Sequence, residues 1–311
     1  MAAGRLDGFN REIVALERDF LQLIRGHLSL AELRTKESLK RVWEEIDRDP
    51  VAAVCMTRIK SGHAMTPRHG INVMLLARAW TNAVHQLGRR RDDFSFCALI
   101  HDLGHWHPDD LVHVFGAYTH SQARLLAAHT RVSAWREAVL DNEMVQWIEE
   151  HHEQPNGRGY PTGTTEPTAL SQVLRIADCF DGLTTPRRIR PTYSQHEALI
   201  VMGRWAGHKF SKGLFQGFLR FMGRYPLGTF VELKDGRRAV MAPGELGPQP
   251  FAVTNCDGDV LNVDDFDGAP HDTIHRELKH WYWRVPDDWC HAHVRPDLLD
   301  LPRSYLDEKE S

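Results

Sequence analysis

The sequence predicts a mainly α-helical fold that ends in a small β-containing appendage. Three observations carry that expectation. Apolar residues recur at three-to-four spacing along most of the chain up to about Trp205, capping pairs open two of these segments, and after Thr229 the pattern shifts to short runs around turn residues. At 311 residues the chain can bury a sizeable core. We read an N-terminal helical segment at 1–57, a central helical domain at 58–224 and a C-terminal β-containing extension at 225–311.

Between about Phe9 and Val54 the apolar positions Ile13, Leu16, Phe20 and Leu23, then Leu39, Val42, Trp43 and Ile46, predict two amphipathic helices. From His69 to Leu87 an apolar run too long for a strand predicts a buried helix. A second runs from Phe94 to Leu103 and stops at Gly104. Thr119 with Gln122 starts a helix toward His129. Further helices are expected at Val139–His152, at Leu170–Thr184 and, behind the pair Ser194 and Glu197, at Ser194–Trp205. Thr229–Met241 reads as a hairpin about Asp235 and Gly236, and the same style continues to about Val263.

Composition narrows the function classes. The net charge of -4 provides no broad basic field, which argues against duplex nucleic acid as a partner. Five widely spaced cysteines suggest buried thiols in a reducing cytoplasm, and no run approaches the roughly 20 apolar residues that cross a bilayer. Histidine is the anomaly: 19 residues, many of them between His63 and His152.

Those histidines stand where a core would not ordinarily put them. His101 and Asp102 end one apolar helix, His151 and His152 end another, His69 opens a third, His129 closes a fourth, and Asp178 lies inside a fifth. Buried imidazoles and carboxylates need partners, and a shared group of cations satisfies all of them at once. Mixed nitrogen and oxygen donors suit Mn, Fe or Zn, and seven donors exceed the needs of one tetrahedral ion. Two ions roughly 3.5–4 Å apart, bridged by Asp102, is the expected arrangement.

The segments HDLGH, HHEQPNGRGYP and RIADCFDGLTTPRRIR, in this order within about Arg58 to Met202, resemble the HD-GYP domain family. The RIK segment at 58–60 and YPLGTFVELKDGRRAVM at 225–241 are also similar to family sequence. The resemblance implies an HD-domain helical bundle and hydrolysis of cyclic di-GMP, or a related cyclic dinucleotide, to a linear dinucleotide or GMP. It implies His69, His101, Asp102, His129, His151, His152 and Asp178 as ligands of two divalent ions, iron or manganese foremost, with zinc, nickel or magnesium as other occupants. His129 is preferred over His120 because Gly116 and Thr119 match the family's spacing. Arg187 and Arg190 match positions that meet substrate phosphates, and Tyr160 stands in the GYP loop, where the family can also meet a GGDEF-containing diguanylate cyclase.

This chain departs from the family pattern at two informative places. His105 replaces the usual lysine and becomes, with Asp102, a candidate catalytic residue, as a phosphate-facing cation or a general acid. Met65 replaces the glutamate of three-metal members, so two ions are expected. The alternatives to an enzyme of this specificity are a catalytically weak cyclic-dinucleotide receptor and a phosphohydrolase with another nucleotide substrate. His63, His107, His113 and His120 are read as surface or supporting residues. Cys290, His291 and His293 with His280 do not have zinc-finger spacing, and Trp281, Trp283 and Trp289 are read as packing residues.

Overall fold

Every residue from Pro67 to Thr81 is buried, and this run is the central helix around which the helical unit is built. The computed structural model describes residues 2–58, 67–84, 87–105, 127–131, 139–185, 193–226, 229–244, 247–257, 260–263 and 274–277. The chain forms two compact units, Met1–Arg224 and Tyr225–Ser311.

The first unit begins with α1 (Ala2–Ile24), α2 (Leu30–Thr35), α3 (Glu37–Arg48) and α4 (Pro50–Met56). The periodicity there suggested two helices; local punctuation makes four. Ser29 and Glu32 form a capping box at the start of α2, and Asp49 caps α4 by accepting from the Ala52 amide, with Pro50 in the first turn. Their apolar faces, from Phe9, Ile13 and Leu16 through Leu39, Val42 and Ile46, lie in one core with the central helix. That helix, α5 (Pro67–Ala83), packs on α1, α3, α4 and α6 (Arg91–Ile100). One charged residue inside it is fully partnered. Arg78, 2% exposed, donates to both Asp47 carboxylate oxygens at 2.8 Å, to Asp92 at 2.7 Å and to Ser95 at 3.0 Å, and lies over the Trp43 ring.

Three more expected helices follow: α7 (Asn142–Glu149), capped by Asp141, α8 (Ala169–Thr184), capped by Thr168, and α9 (Gln195–Trp205), whose Ser194–Glu197 capping box forms as expected. A helix absent from the sequence expectation, α10 (Lys212–Met222), buries Phe215, Phe218 and Met222 against the same core. The apolar run expected to reach Leu103 stops being α-helical at Ile100, and residues Leu103–His105 form a 3₁₀ turn. The expected start of a helix at Thr119 lies outside the described residues, but its end at His129 falls in a short 3₁₀ turn, Ala128–Thr130. No described helix is long and apolar enough to cross a membrane.

The second unit holds an antiparallel sheet ordered β4-β3-β2-β1-β5, from β1 (Phe230–Leu233), β2 (Arg238–Gly244), β3 (Gly247–Asp257), β4 (Val260–Val263) and β5 (Ile274–Glu277). The β1–β2 hairpin turns at Asp235 and Gly236 as the sequence suggested, with Val231 opposite Ala239. Alternation puts Val231, Leu233, Ala239 and Met241 on one buried face with Tyr225. The run at Cys290 and the tryptophans Trp281, Trp283 and Trp289 lie outside the described residues.

Candidate metal centre

The chemistry-bearing residues arrive at one place because helix ends converge there. His69 sits in the first turn of α5, His101 and Asp102 directly follow α6, His129 lies on its 3₁₀ turn, His151 and His152 follow α7, and Asp178 projects from α8. Their donor atoms form two groups: His69, His101 and Asp178, and Asp102, His129, His151 and His152. All seven residues singled out from the sequence are therefore brought together.

Asp102 joins the groups. Its Oδ2 lies 3.4 Å from His69 Nε2, while its Oδ1 lies 3.3 Å from His129 Nε2, 3.7 Å from His101 Nε2 and 3.8 Å from His151 Nε2. Asp178 Oδ1 stands 3.2 Å from His69 Nε2 and 3.9 Å from His101 Nε2. The two oxygens of one carboxylate thus face different sets of nitrogens.

Which nitrogens can donate electron pairs follows from the backbone. His101 Nδ1 lies 2.9 Å from the Ala98 carbonyl and His151 Nδ1 2.5 Å from the Ile148 carbonyl. A carbonyl only accepts, so in the neutral ring each Nδ1 carries the proton and each Nε2 presents a lone pair inward. His101 Nε2 is buried and makes no hydrogen bond, and His151 Nε2 faces His129 Nε2 at 3.4 Å. An orphaned buried nitrogen beside two carboxylates, with the inward lone pair of His151 close by, is what a cation would satisfy. The donor set fits divalent metal ions with nitrogen and oxygen ligands.

Electrostatics divides the centre in two. Burial, together with the neighbouring His152, His101 and His129, pushes His151 well below the ordinary imidazole range, and burial drives His152 down to about 3. Burial also opposes the charged form of His69, but hydrogen bonds to Asp102, Asp178 and Asp181 outweigh it and hold its pKa well above 6.5. Asp178 is correspondingly held well below the carboxylate range, its burial overcome by His101 and His69.

Supporting contacts set the positions of these residues. Gly104 lies so close to the His129 backbone that a Cβ there would be 2.5 Å from its carbonyl oxygen and 2.7 Å from its Cα. Arg175 donates to the His151 carbonyl at 3.3 Å. Tyr160 stacks on His152 with ring centroids 4.7 Å apart, and burial beside Asp102 and Asp178 raises its pKa, so its hydroxyl stays protonated. Glu153 fastens the Tyr160 loop: it is fully buried, and its Oε1 accepts from the Thr162 amide at 2.5 Å, the Thr162 hydroxyl at 2.9 Å and the Gly163 amide at 3.0 Å. Gly159 lets the loop return over the Glu153 backbone, which a Cβ would strike.

The sequence reading assigned no role to Glu153 or to Asp181. Glu153 follows the histidine pair directly, and Asp181 lies three residues beyond Asp178 on the same helix face; both are signals available in sequence. Arg187, Arg190 and Met65 lie outside the described residues, as does the side chain of His105, whose backbone ends the Leu103–His105 turn.

Residues 59–213 match the family model described as HD domain. The chain is 27% identical over 202 residues to a cyclic di-GMP phosphodiesterase of Pseudomonas aeruginosa, covering 62% of this chain and 48% of that protein. It is 31% identical over 110 residues to the 3'3'-cGAMP-specific phosphodiesterase 1 of Vibrio cholerae, covering 33% of this chain and 25% of that one. The chain thus spans about half or less of the length of these two relatives. Among solved structures, a HDG"Y"P protein from Bdellovibrio bacteriovorus aligns with a TM-score of 0.49 at 17% identity, covering 67% of this chain and 69% of that chain.

Proposed function

This chain belongs to the HD domain family through residues 59–213, and we propose from that premise that it is a metal-dependent phosphodiesterase acting on a cyclic dinucleotide, cyclic di-GMP foremost. The observation that carries the proposal is Asp102, whose Oδ2 faces His69 while its Oδ1 faces His129, His101 and His151, so that one carboxylate reaches both groups of donors. His69, His101 and Asp178 would hold one ion and His129, His151 and His152 a second, with Asp102 shared. Iron or manganese suits these donors best. Bound ions in such a pair polarise a phosphoryl oxygen and lower the pKa of coordinated water.

The chain's own residues supply position and charge. The carbonyls of Ala98 and Ile148 keep His101 and His151 in the tautomer that turns Nε2 inward. Tyr160, protonated and stacked on His152, presents a hydroxyl that can donate to a phosphate oxygen. Arg187 and Arg190 would grip substrate phosphates through guanidinium forks, and His105 would serve as the nearby acid or cation in place of lysine. The loop fixed by Glu153 is the surface on which a diguanylate cyclase partner would be read.

A second substrate has specific support, since the Vibrio cholerae relative is named for 3'3'-cGAMP. The test is direct: protein loaded with Mn²⁺ or Fe²⁺ is incubated with cyclic di-GMP, 3'3'-cGAMP and a linear dinucleotide, and products are separated by chromatography. Cleavage of a cyclic dinucleotide, abolished in Asp102→Ala, is expected. Binding of substrate without cleavage at any metal loading would leave a receptor instead.

A further inference from the structure

His69 differs from His101 and His151 in what holds its outer nitrogen. Those two donate to backbone carbonyls of their own helices, whereas His69 Nδ1 lies 2.7 Å from Asp181 Oδ2, a carboxylate on α8 that is 1% exposed. Asp181 stands three residues after Asp178, so one face of α8 addresses both sides of the same imidazole: Asp178 at Nε2 and Asp181 at Nδ1. A buried carboxylate must be matched by donors. The ring N–H of His69 is one such donor, and the Thr185 hydroxyl, which donates to the Asp181 carbonyl at 2.7 Å, also lies 3.3 Å from Oδ2. Arg68, 5% exposed and immediately before His69, adds positive charge at longer range and is itself paired to Glu17 of α1 at 3.2 Å.

We propose that Asp181 is a positioning residue for the metal centre: it accepts a hydrogen bond from the Nδ1–H of His69, fixes the ring so that Nε2, once a metal ion replaces its proton, presents its lone pair to the space beside Asp102 and Asp178, and strengthens that nitrogen as a ligand. The inference rests on the reading of the seven donors as a metal site. Its physical basis is general. A carboxylate behind a ligating imidazole locks ring orientation and increases basicity, whereas a backbone carbonyl locks orientation with less charge. The His69 side of the centre would then depend on a side chain that can be altered, unlike the carbonyl-held His101 and His151.

The test compares the full chain with Asp181→Asn and Asp181→Ala. Each is stripped with chelator and titrated with Mn²⁺ against a competing metal dye, and thermal unfolding of the metal-free forms checks that they fold. Asp181→Ala is expected to weaken one of two binding steps about 10–100-fold and to leave the other near wild type. Asp181→Asn, whose side-chain oxygen still accepts the Nδ1 proton without a charge, should fall between. Should the alanine variant fail to fold, the asparagine variant decides. Loss confined to one step and graded in this order is not what a role in packing alone produces. Wild-type affinity at both steps in the folded variants, or equal loss at both, overturns the positioning role while leaving the metal centre standing. A wild-type chain that takes up no Mn²⁺ overturns both.

Discussion

Gly104→Ala is the substitution whose effect can be worked most directly from geometry. The added Cβ would sit 2.5 Å from the His129 carbonyl oxygen, 2.7 Å from its Cα and 3.0 Å from its carbonyl carbon. Carbon atoms in contact rest about 3.5–4.0 Å apart, so the Leu103–His105 turn and the Ala128–Thr130 turn must separate by roughly 1 Å. All three obstacles are backbone atoms, and no rotamer change relieves them. Overpacking of this kind costs about 1–3 kcal/mol, and at about 2–4 °C per kcal/mol the unfolding midpoint should drop by several degrees. The functional effect should be larger. Asp102 and His129 ride on the segments being pushed apart, their 3.3 Å approach would be lost, and a ligand set tolerates displacements of only about 0.5 Å. We expect metal affinity to fall more than tenfold, measured by dye competition on folded protein. Gly203→Ala is the control. It lies within α9, where a Cβ would come no closer than 3.7 Å to the Phe215 ring, so it should be neutral or stabilising by up to about 1 kcal/mol. Wild-type metal affinity and midpoint in Gly104→Ala would refute the claim that this close approach sets the position of His129.

Other perturbations have equally definite outcomes. Asp102→Ala should release the ions of both groups together; elemental analysis that finds one ion held at wild-type affinity would refute the shared carboxylate. Arg78→Met removes charge-assisted hydrogen bonds to Asp47 and Asp92 and should cost about 2–3 kcal/mol in urea unfolding, with no cost if the network is ornamental. Glu153→Ala frees the Thr162 and Gly163 amides, so hydrogen exchange at those two positions should accelerate while the α7 core stays protected. The metal-free protein should lose stability as pH falls from about 6.5 toward 3, because unfolded imidazoles take protons there that His151 and His152 refuse in the folded state. The contribution of His69, whose folded pKa is raised, is complete below 6.5 and fades only as pH climbs through that raised value. Chemical denaturation of chelator-treated protein across pH 4–7 checks the acid limb, and a flat stability there would contradict the buried, neutral state assigned to His151 and His152.

The parts of this molecule that sequence reveals are those with a local cause. α5 through α9 follow from apolar periodicity and caps, and the seven donors stand out because ionisable residues at the ends of apolar runs have few other uses. Some omissions had signals of the same kind. Ser211 ahead of Phe215, Phe218 and Met222 marks α10, and Asp49-Pro50 marks the break between α3 and α4. Gly104 shows where local reasoning ends. Its neighbours suggest only a helix stop, and α6 has already ended at Ile100; what requires glycine there is the backbone of His129, twenty-five residues on by the numbering of the two positions. The same holds for the lone pairs. No spacing rule specifies that His101 and His151 donate their Nδ1–H to carbonyls while His69 donates its own to Asp181, yet that assignment decides which nitrogens face inward. Sequence can therefore nominate the candidate ligands, because each is marked by its own surroundings. Their orientation is fixed by contacts between elements, so it emerges only once the helix ends have met.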